Sequence, residues 1–146
     1  MSFLRTELPI PPSSNAIYRR RGNRPGLYLT PEASRYRRLA TKQLLENHAV
    51  DVQKLDAHVA YRLVLVFHLQ ALNKGWPKTA KSRYKRVDLS NRIKLLEDVI
   101  KDVTGIDDSQ TFEITVVKKH LEQGSDPRVQ VLFEVLEEGE WLDKPR

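Results

Sequence analysis

Two periods of hydrophobic recurrence divide this chain into elements. From Ser2 to Leu8, the residues Leu4, Thr6 and Leu8 alternate with Phe3, Arg5 and Glu7, which predicts a strand, and Pro9, Pro11 and Pro12 end it. A short strand is expected over Leu27 to Leu29. Thr30-Pro31-Glu32 then supplies three agreeing helix-start signals: a capping hydroxyl, a proline suited to the first turn and an acid facing the positive end of the dipole. The helix is expected to reach about Asn47, with Tyr36, Ala40, Leu44 and Leu45 inward and Arg35, Arg38 and Lys42 outward. In the stretch from His58, Tyr61, Leu63, Leu65 and Phe67 point one way, and Val64 and Val66 the other. A strand apolar on both faces belongs inside a sheet. A second helix is predicted from Leu89 to Val103, with Leu89, Ile93, Leu96, Ile100 and Val103 on one stripe and Gly105 as its stop. Finally TFEITVVKK and RVQVLFEVL alternate on either side of a polar turn holding Gly124 and Pro127.

The expected order is β-β-α-β-α-β-β: one mixed β-sheet with two main helices, class α+β, in a single domain over residues 1–146. Composition narrows the chemistry. The chain has no Cys, which excludes a disulfide framework, a thiolate zinc site and a cysteine nucleophile. It has neither the apolar core of a signal peptide nor an apolar run long enough to span a membrane. The expectation is a cytoplasmic protein with no membrane contact.

Charge changes the picture more. The net charge is +6 and the pI about 9.7. Residues 17–42 hold eight Lys or Arg against the single acid Glu32, and residues 73–86 hold six with no acid. The last thirteen residues, 134–146, reverse the sign with five acids against two bases. Two basic blocks centred on expected loops (13–26 and 73–86) imply a polyanionic partner. The cations placed against it are Arg19, Arg20, Arg21, Arg24, Lys74, Lys78, Lys81, Arg83, Lys85 and Arg86. Tyr18, Trp76 and Tyr84, set among them, suit stacking on bases.

Carboxylates gather around the second helix. Asp88 precedes it. Asn91, Lys94, Asp98, Lys101 and Asp102 fall on its polar face, and Asp107 and Asp108 follow Gly105. A fifteen-residue helix is about 22 Å long, so its two ends can share a site only if the chain doubles back after Gly105. If the acids meet, oxygen ligands without Cys or clustered His suit Mg²⁺, or Mn²⁺ as a substitute. Lys94 would bind the phosphate or stabilise the leaving oxygen. The bland readings are an N-cap for Asp88, turn chemistry for Asp107-Asp108, and a solvated Lys94–Asp98 pair.

The segment Asp88-Leu-Ser-Asn91, Lys94, Asp98, then Asp107-Asp108-Ser-Gln110 leading into a strand resembles the RusA-type Holliday junction resolvases. Their pattern there is D-x-D-N-x-x-K-x-x-x-D followed by D-D-x-Q. Leu8-Pro-Ile-Pro-Pro-Ser13-Ser-Asn15-Ala-Ile-Tyr18 is similar to the family's L-P-x-P-P-S-x-N-x-x-Y, so the likeness covers about residues 3 to 135. The resemblance implies a small homodimer that cuts branched DNA, the four-way Holliday junction, by paired Mg²⁺-dependent nicks. It implies Asp88, Lys94 and Asp108 as catalytic residues, Asp88 and Asp108 as metal ligands, and Asn15, Asn91 and Gln110 as motif positions. Ser90 stands where the family's second aspartate is expected, and Asp98 or Asp107 is expected to compensate as a ligand. The alternative is a junction- or duplex-binding protein whose chemistry is weakened or lost at Ser90. A weaker rival is an interaction protein with an acidic protein partner.

Overall fold

The computed structural model describes residues 3–13, 16–20, 22–23, 26–53, 55–56 and 58–143. A four-stranded sheet in the order β1-β6-β4-β5 is built from β1 (Phe3–Leu8), β4 (Ala60–Leu69), β5 (Thr111–His120) and β6 (Arg128–Leu136). The short strands β2 (Tyr18–Arg20) and β3 (Leu27–Leu29) form a separate antiparallel ribbon. Helices α1 (Pro31–Gln53) and α2 (Ser90–Thr104) accompany the sheet, and a short α3 (Glu138–Trp141) follows β6. This is the mixed α+β fold expected. Among the described residues, no helix is long and apolar enough to cross a membrane.

The helix starts and stops follow local chemistry. Thr30 Oγ1 accepts the N–H of Ala33 at 3.2 Å, and the same hydroxyl donates to the Ala16 carbonyl, tying the helix to the incoming loop. Helix α1 departs from helical geometry at His48 (φ −134°, ψ 22°), one residue past the expected end, then resumes to Gln53. Ala40 and Leu44 are buried as expected and Tyr36 is half-buried, its hydroxyl donating to the Pro9 carbonyl at 2.6 Å. Leu45, expected inward, is exposed; the face one position back, at Leu44, wins the core. Helix α2 ends where Gly105 takes the left-handed conformation (φ 70°), with its N–H on the Lys101 carbonyl at 2.8 Å.

One face of the sheet meets the helices. Leu4, Leu8, Leu63, Leu65, Phe67, Val129, Val131 and Phe133 close on Leu96, Val99, Ile100 and Val103, all buried. Each such side chain contributes about 1.5–3 kcal/mol on burial. The opposite face carries Val64, Val66 and Leu132, half-buried and uncovered by α1 or α2. Strand β4 lies inside the sheet, as its two apolar faces required, between β5 and β6.

The polar turn with Gly124 does not close a hairpin, because β4 lies between the strands it joins. Strand β6 is antiparallel to both β4 and β1, and β5 is parallel to β4. The run β4–α2–β5 is therefore a crossover unit, in which α2 returns the chain from the end of β4 to its start. The basic stretch before Gly26, expected as loop throughout, contains β2, whose three residues pair with β3.

Candidate active site

The crossover sets the geometry of the candidate residues. Asp88 stands before the first turn of α2, at the end of the sheet where β4 finishes. Asp107 and Asp108 follow its last turn, at the end where β4 and β5 begin. Gln110 pins that second turn to the sheet, its Nε2 donating to the Val59 carbonyl at 3.2 Å.

At the first end, Asp88 Oδ1 accepts the Ser90 N–H at 2.9 Å. The cap position itself is Leu89, with no side-chain cap, so Asp88 serves the helix from one residue further out. That backbone bond, then the Ser90 hydroxyl, hold the Asp88 carboxyl below the usual carboxylate range, and Arg92 adds to this. The serine at the expected second-aspartate position thus acts here as a donor to the first.

At the second end the chain doubles back after Gly105. Asp107 Oδ1 meets Lys101 Nζ at 3.0 Å, and its Oδ2 accepts the Ser109 N–H at 3.2 Å. Ser109 first and Lys101 next push the Asp107 carboxyl far down. Asp108 lies within electrostatic reach of Glu97. Glu97 is half-buried and its carboxyl is pushed up by burial, then by the charges of Asp108 and Asp98, with Lys94 opposing. Glu97 lies seven residues past Ser90, about 10 Å along the helix axis.

Lys94 is exposed, and its Nζ lies 5.2 Å from the centroid of the Tyr18 ring on β2. The expected Lys94–Asp98 pair does not form. Arg37 on α1 takes Asp98 at 3.7 Å and grips Asp102 through two bonds, at 2.5 and 2.8 Å. Arg37, Glu97 and Lys101 are residues the site reading missed or left as surface. A glutamate three positions after Lys94 was the available signal for Glu97; Arg37 gave none, because its partners are more than sixty residues away.

The structure therefore brings Lys94, Asp98 and Asp108 into electrostatic reach of Glu97 and leaves Asp88 at the other end of the helix. Among the described residues, no three of His, Asp and Glu come together as a group able to hold a metal ion. Asp98 and Asp107, the expected substitutes for the missing aspartate, are both engaged by cations. Asn91 is half-buried on α2.

The basic loops are shaped surfaces. In residues 73–86, the Asn73 amide donates to the Ser82 and Tyr84 carbonyls at 2.8 and 3.2 Å, and Leu72 bridges Tyr84. A Cβ at Gly75 would lie 1.9 Å from Thr79 Oγ1, so a larger residue there forces the Thr79 side chain to move. Trp76 and Tyr84 are both exposed, with the Arg83 guanidinium 5.7 and 5.8 Å from their rings. Lys74, Lys78, Lys81, Arg83, Lys85 and Arg86 form no salt bridge with a described carboxylate. In the first block Tyr18 is half-buried and Arg19 and Arg20 are exposed on β2; Asn15, Arg21 and Arg24 lie outside the described residues.

The family model for endodeoxyribonuclease RusA matches residues 9–134, spanning both basic loops, α2 and the turn after it. This chain belongs to the RusA family. Membership supports a nuclease role of the hydrolase kind, connected with Holliday junctions, for the RusA-family chain. No curated protein matches it.

Proposed function

We propose that this chain is an endodeoxyribonuclease that resolves four-way DNA junctions by hydrolysing phosphodiester bonds with a divalent cation, Mg²⁺ or Mn²⁺, and works as a homodimer. The observation that carries the reading is the reversal at Gly105, which returns Asp108 toward the α2 face bearing Glu97 and Lys94. The unpaired cations of residues 73–86 and the arginines of β2 support a DNA partner, since phosphate contacts dominate such affinity.

The fit to a hard cation rests on the donors. Half-buried Glu97 and exposed Asp108 repel each other, and a cation would relieve that repulsion. Magnesium takes few protein carboxylates and keeps waters and substrate phosphate for the rest. Asp108 and Glu97 would hold it, with Asp88 at the other end of α2 and outside their reach within one chain. When bound, such an ion lowers the pKa of water and stabilises charge on the phosphate. The protein's own part is positional. Lys94 presents its ammonium to a phosphate oxygen or to the departing 3′ oxygen, from its place over the Tyr18 ring. Arg37 withdraws Asp98 and Asp102 from the substrate side. The basic loops fix the junction's arms, and Trp76 and Tyr84 offer faces for bases near the crossover.

Ser90 favours a second reading, a junction-binding protein with weakened or lost chemistry. One assay separates them: a synthetic four-way junction with Mg²⁺ or Mn²⁺, comparing the unmodified chain with Asp108→Asn and Lys94→Ala. The nuclease reading expects paired nicks that fall by at least about 10²-fold in either variant, with binding in EDTA retained. Binding without divalent-dependent nicking in the unmodified chain selects the second reading.

A further inference from the structure

A cavity of about 410 Å³ opens at the end of the sheet where β4 and β5 finish, between the start of the basic loop 73–86 and the turn that follows β5. Backbone bonds hold its frame. The Leu121 N–H donates to the Leu69 carbonyl at 2.8 Å, the Lys85 N–H to the Ala71 carbonyl at 2.9 Å and the Asn73 N–H to the Arg83 carbonyl at 2.9 Å. The cavity is therefore shaped before a ligand arrives.

Two kinds of surface line it. Leu72, half-buried, and Leu121, buried, give an apolar patch. The rest is polar: Gln70, Asn73, Lys74, His120 and Gln123, with no carboxylate among the described residues. His120 Nδ1 accepts the Ala71 N–H at 3.1 Å, which leaves the ring proton on Nε2 as a donor. The Asn73 amide hydrogens are taken by the Ser82 and Tyr84 carbonyls, so its Oδ1 is left as an acceptor. The side chains of Gln70, Lys74 and Gln123 make no hydrogen bond with a described residue. Gln70 is half-buried, where a polar group gains more from a partner than it does in open water.

One cation among several amides is a poor phosphate site, whereas an apolar patch with a polar rim suits a flat polar ring. For a DNA partner that ring is a nucleobase. Lys74 and His120 Nε2 are donors, so the edge they fit carries acceptors. Guanine offers two neighbouring acceptors, O6 and N7; adenine has an amino group in place of O6, donor against donor. Asn73 Oδ1 and the glutamine carbonyls suit the guanine N1–H and its amino group. A paired base is held in the stack, but an unpaired one at a branch point leaves it at least cost.

We propose that this cavity is a base-binding subsite that takes one unpaired guanine from the branch point of the DNA, its ring on Leu72 and Leu121 and its O6 and N7 edge toward Lys74 and His120. The proposal rests on the DNA-binding half of the reading above and not on cleavage. It gives Gln70 and His120 a part that neither the acids of α2 nor the loop cations supply, which is to select a base where the loop holds the backbone.

The test is binding in EDTA to four-way junctions that differ only in one unpaired nucleotide at the branch point: dG, 7-deaza-dG, dA or dT. The dG junction is expected to bind about fivefold or more tighter than the dA junction. The 7-deaza-dG junction, which lacks the N7 acceptor, is expected to lose most of that gain. His120→Ala and Gln70→Ala are each expected to bring the dG to dA ratio close to one. Lys78→Ala, outside the cavity, is expected to weaken all four junctions alike and keep the ratio. The 7-deaza change is made in the DNA, so it reads the subsite even where a variant fails to fold.

Equal binding of the four junctions by the unmodified chain, a preference for another base, or a dG preference that survives the 7-deaza change or both alanine variants overturns the subsite and leaves the DNA reading standing. If no junction, fully paired or not, is bound at low salt, the DNA reading falls and the subsite falls with it.

Discussion

Helix α2 has acids at both ends, and the two ends are built differently. At the N-terminal end, Asp88 is held by the N–H and hydroxyl of Ser90, with Arg92 as its charged neighbour. At the C-terminal end, Gly105 turns the chain back so that Asp107 takes Lys101 and the charge of Asp108 acts on Glu97. One end is a carboxylate satisfied by its own backbone. The other is a like-charge pair that makes no salt bridge with a described cation, beside Lys94, which makes none with a described carboxylate. The same residue type is a helix brace at one end and a candidate ligand at the other because of what the backbone does next to it.

The comparison breaks most clearly at the chemistry. Asp108→Asn is expected to reduce junction nicking by at least about 10²-fold, and Ser90→Asp, which adds an acid at the braced end, to raise nicking or lower the Mg²⁺ concentration needed for it. Titration of nicking against Mg²⁺ for both variants checks this. Next in size, Gly105→Ala forces a side chain into left-handed geometry at a cost of about 1–2 kcal/mol. It should lower the thermal midpoint and, by misplacing Asp108, also nicking, whereas a change at the braced end such as Leu89→Ala should lower the midpoint alone.

A third expectation concerns pH. Arg37 bonding holds the Asp102 carboxyl below its usual value. A depressed folded-state pKa gives stability that is present above the ordinary aspartate value of about 3.9 and is lost as pH falls through the lower folded value. Asp102→Asn should therefore cost a little stability at neutral pH and flatten the acid limb of the midpoint-against-pH curve. The pair is part-exposed, so the effect is small. Smallest of all, each of Lys78→Ala and Lys81→Ala should weaken junction binding evenly across sequences and reduce the log–log salt slope by about 1.

Much of the fold was legible because it is local. The stripe from Leu96 to Val103, the Thr30 cap and the Gly105 stop each follow from residues within one or two turns. The burial of β4 on one face and its interior place followed from alternation. What could not be read depends on distant partners. Nothing in TFEITVVKK and RVQVLFEVL reveals that β4 lies between them, and β2 exists only because β3 offers it three partners. In the site, Asp88, Lys94 and Asp108 stood out by type and spacing. The diversion of Asp98 to Arg37 did not, because that pairing is made by helix packing. The separation of Asp88 from Asp108 was legible in part: helix length set the two ends about 22 Å apart, and β5 running parallel to β4, which fixes where α2 must start and stop, is what keeps them so.

The Asn73 amide, holding two carbonyls across the base of the basic loop, bears on how a ligand would be met. A surface shaped in advance loses little freedom on binding, so a flexible or kinked substrate bears most of the conformational cost of the encounter. Discrimination would then favour nucleic acid already bent at a branch point over a straight helix carrying the same charge.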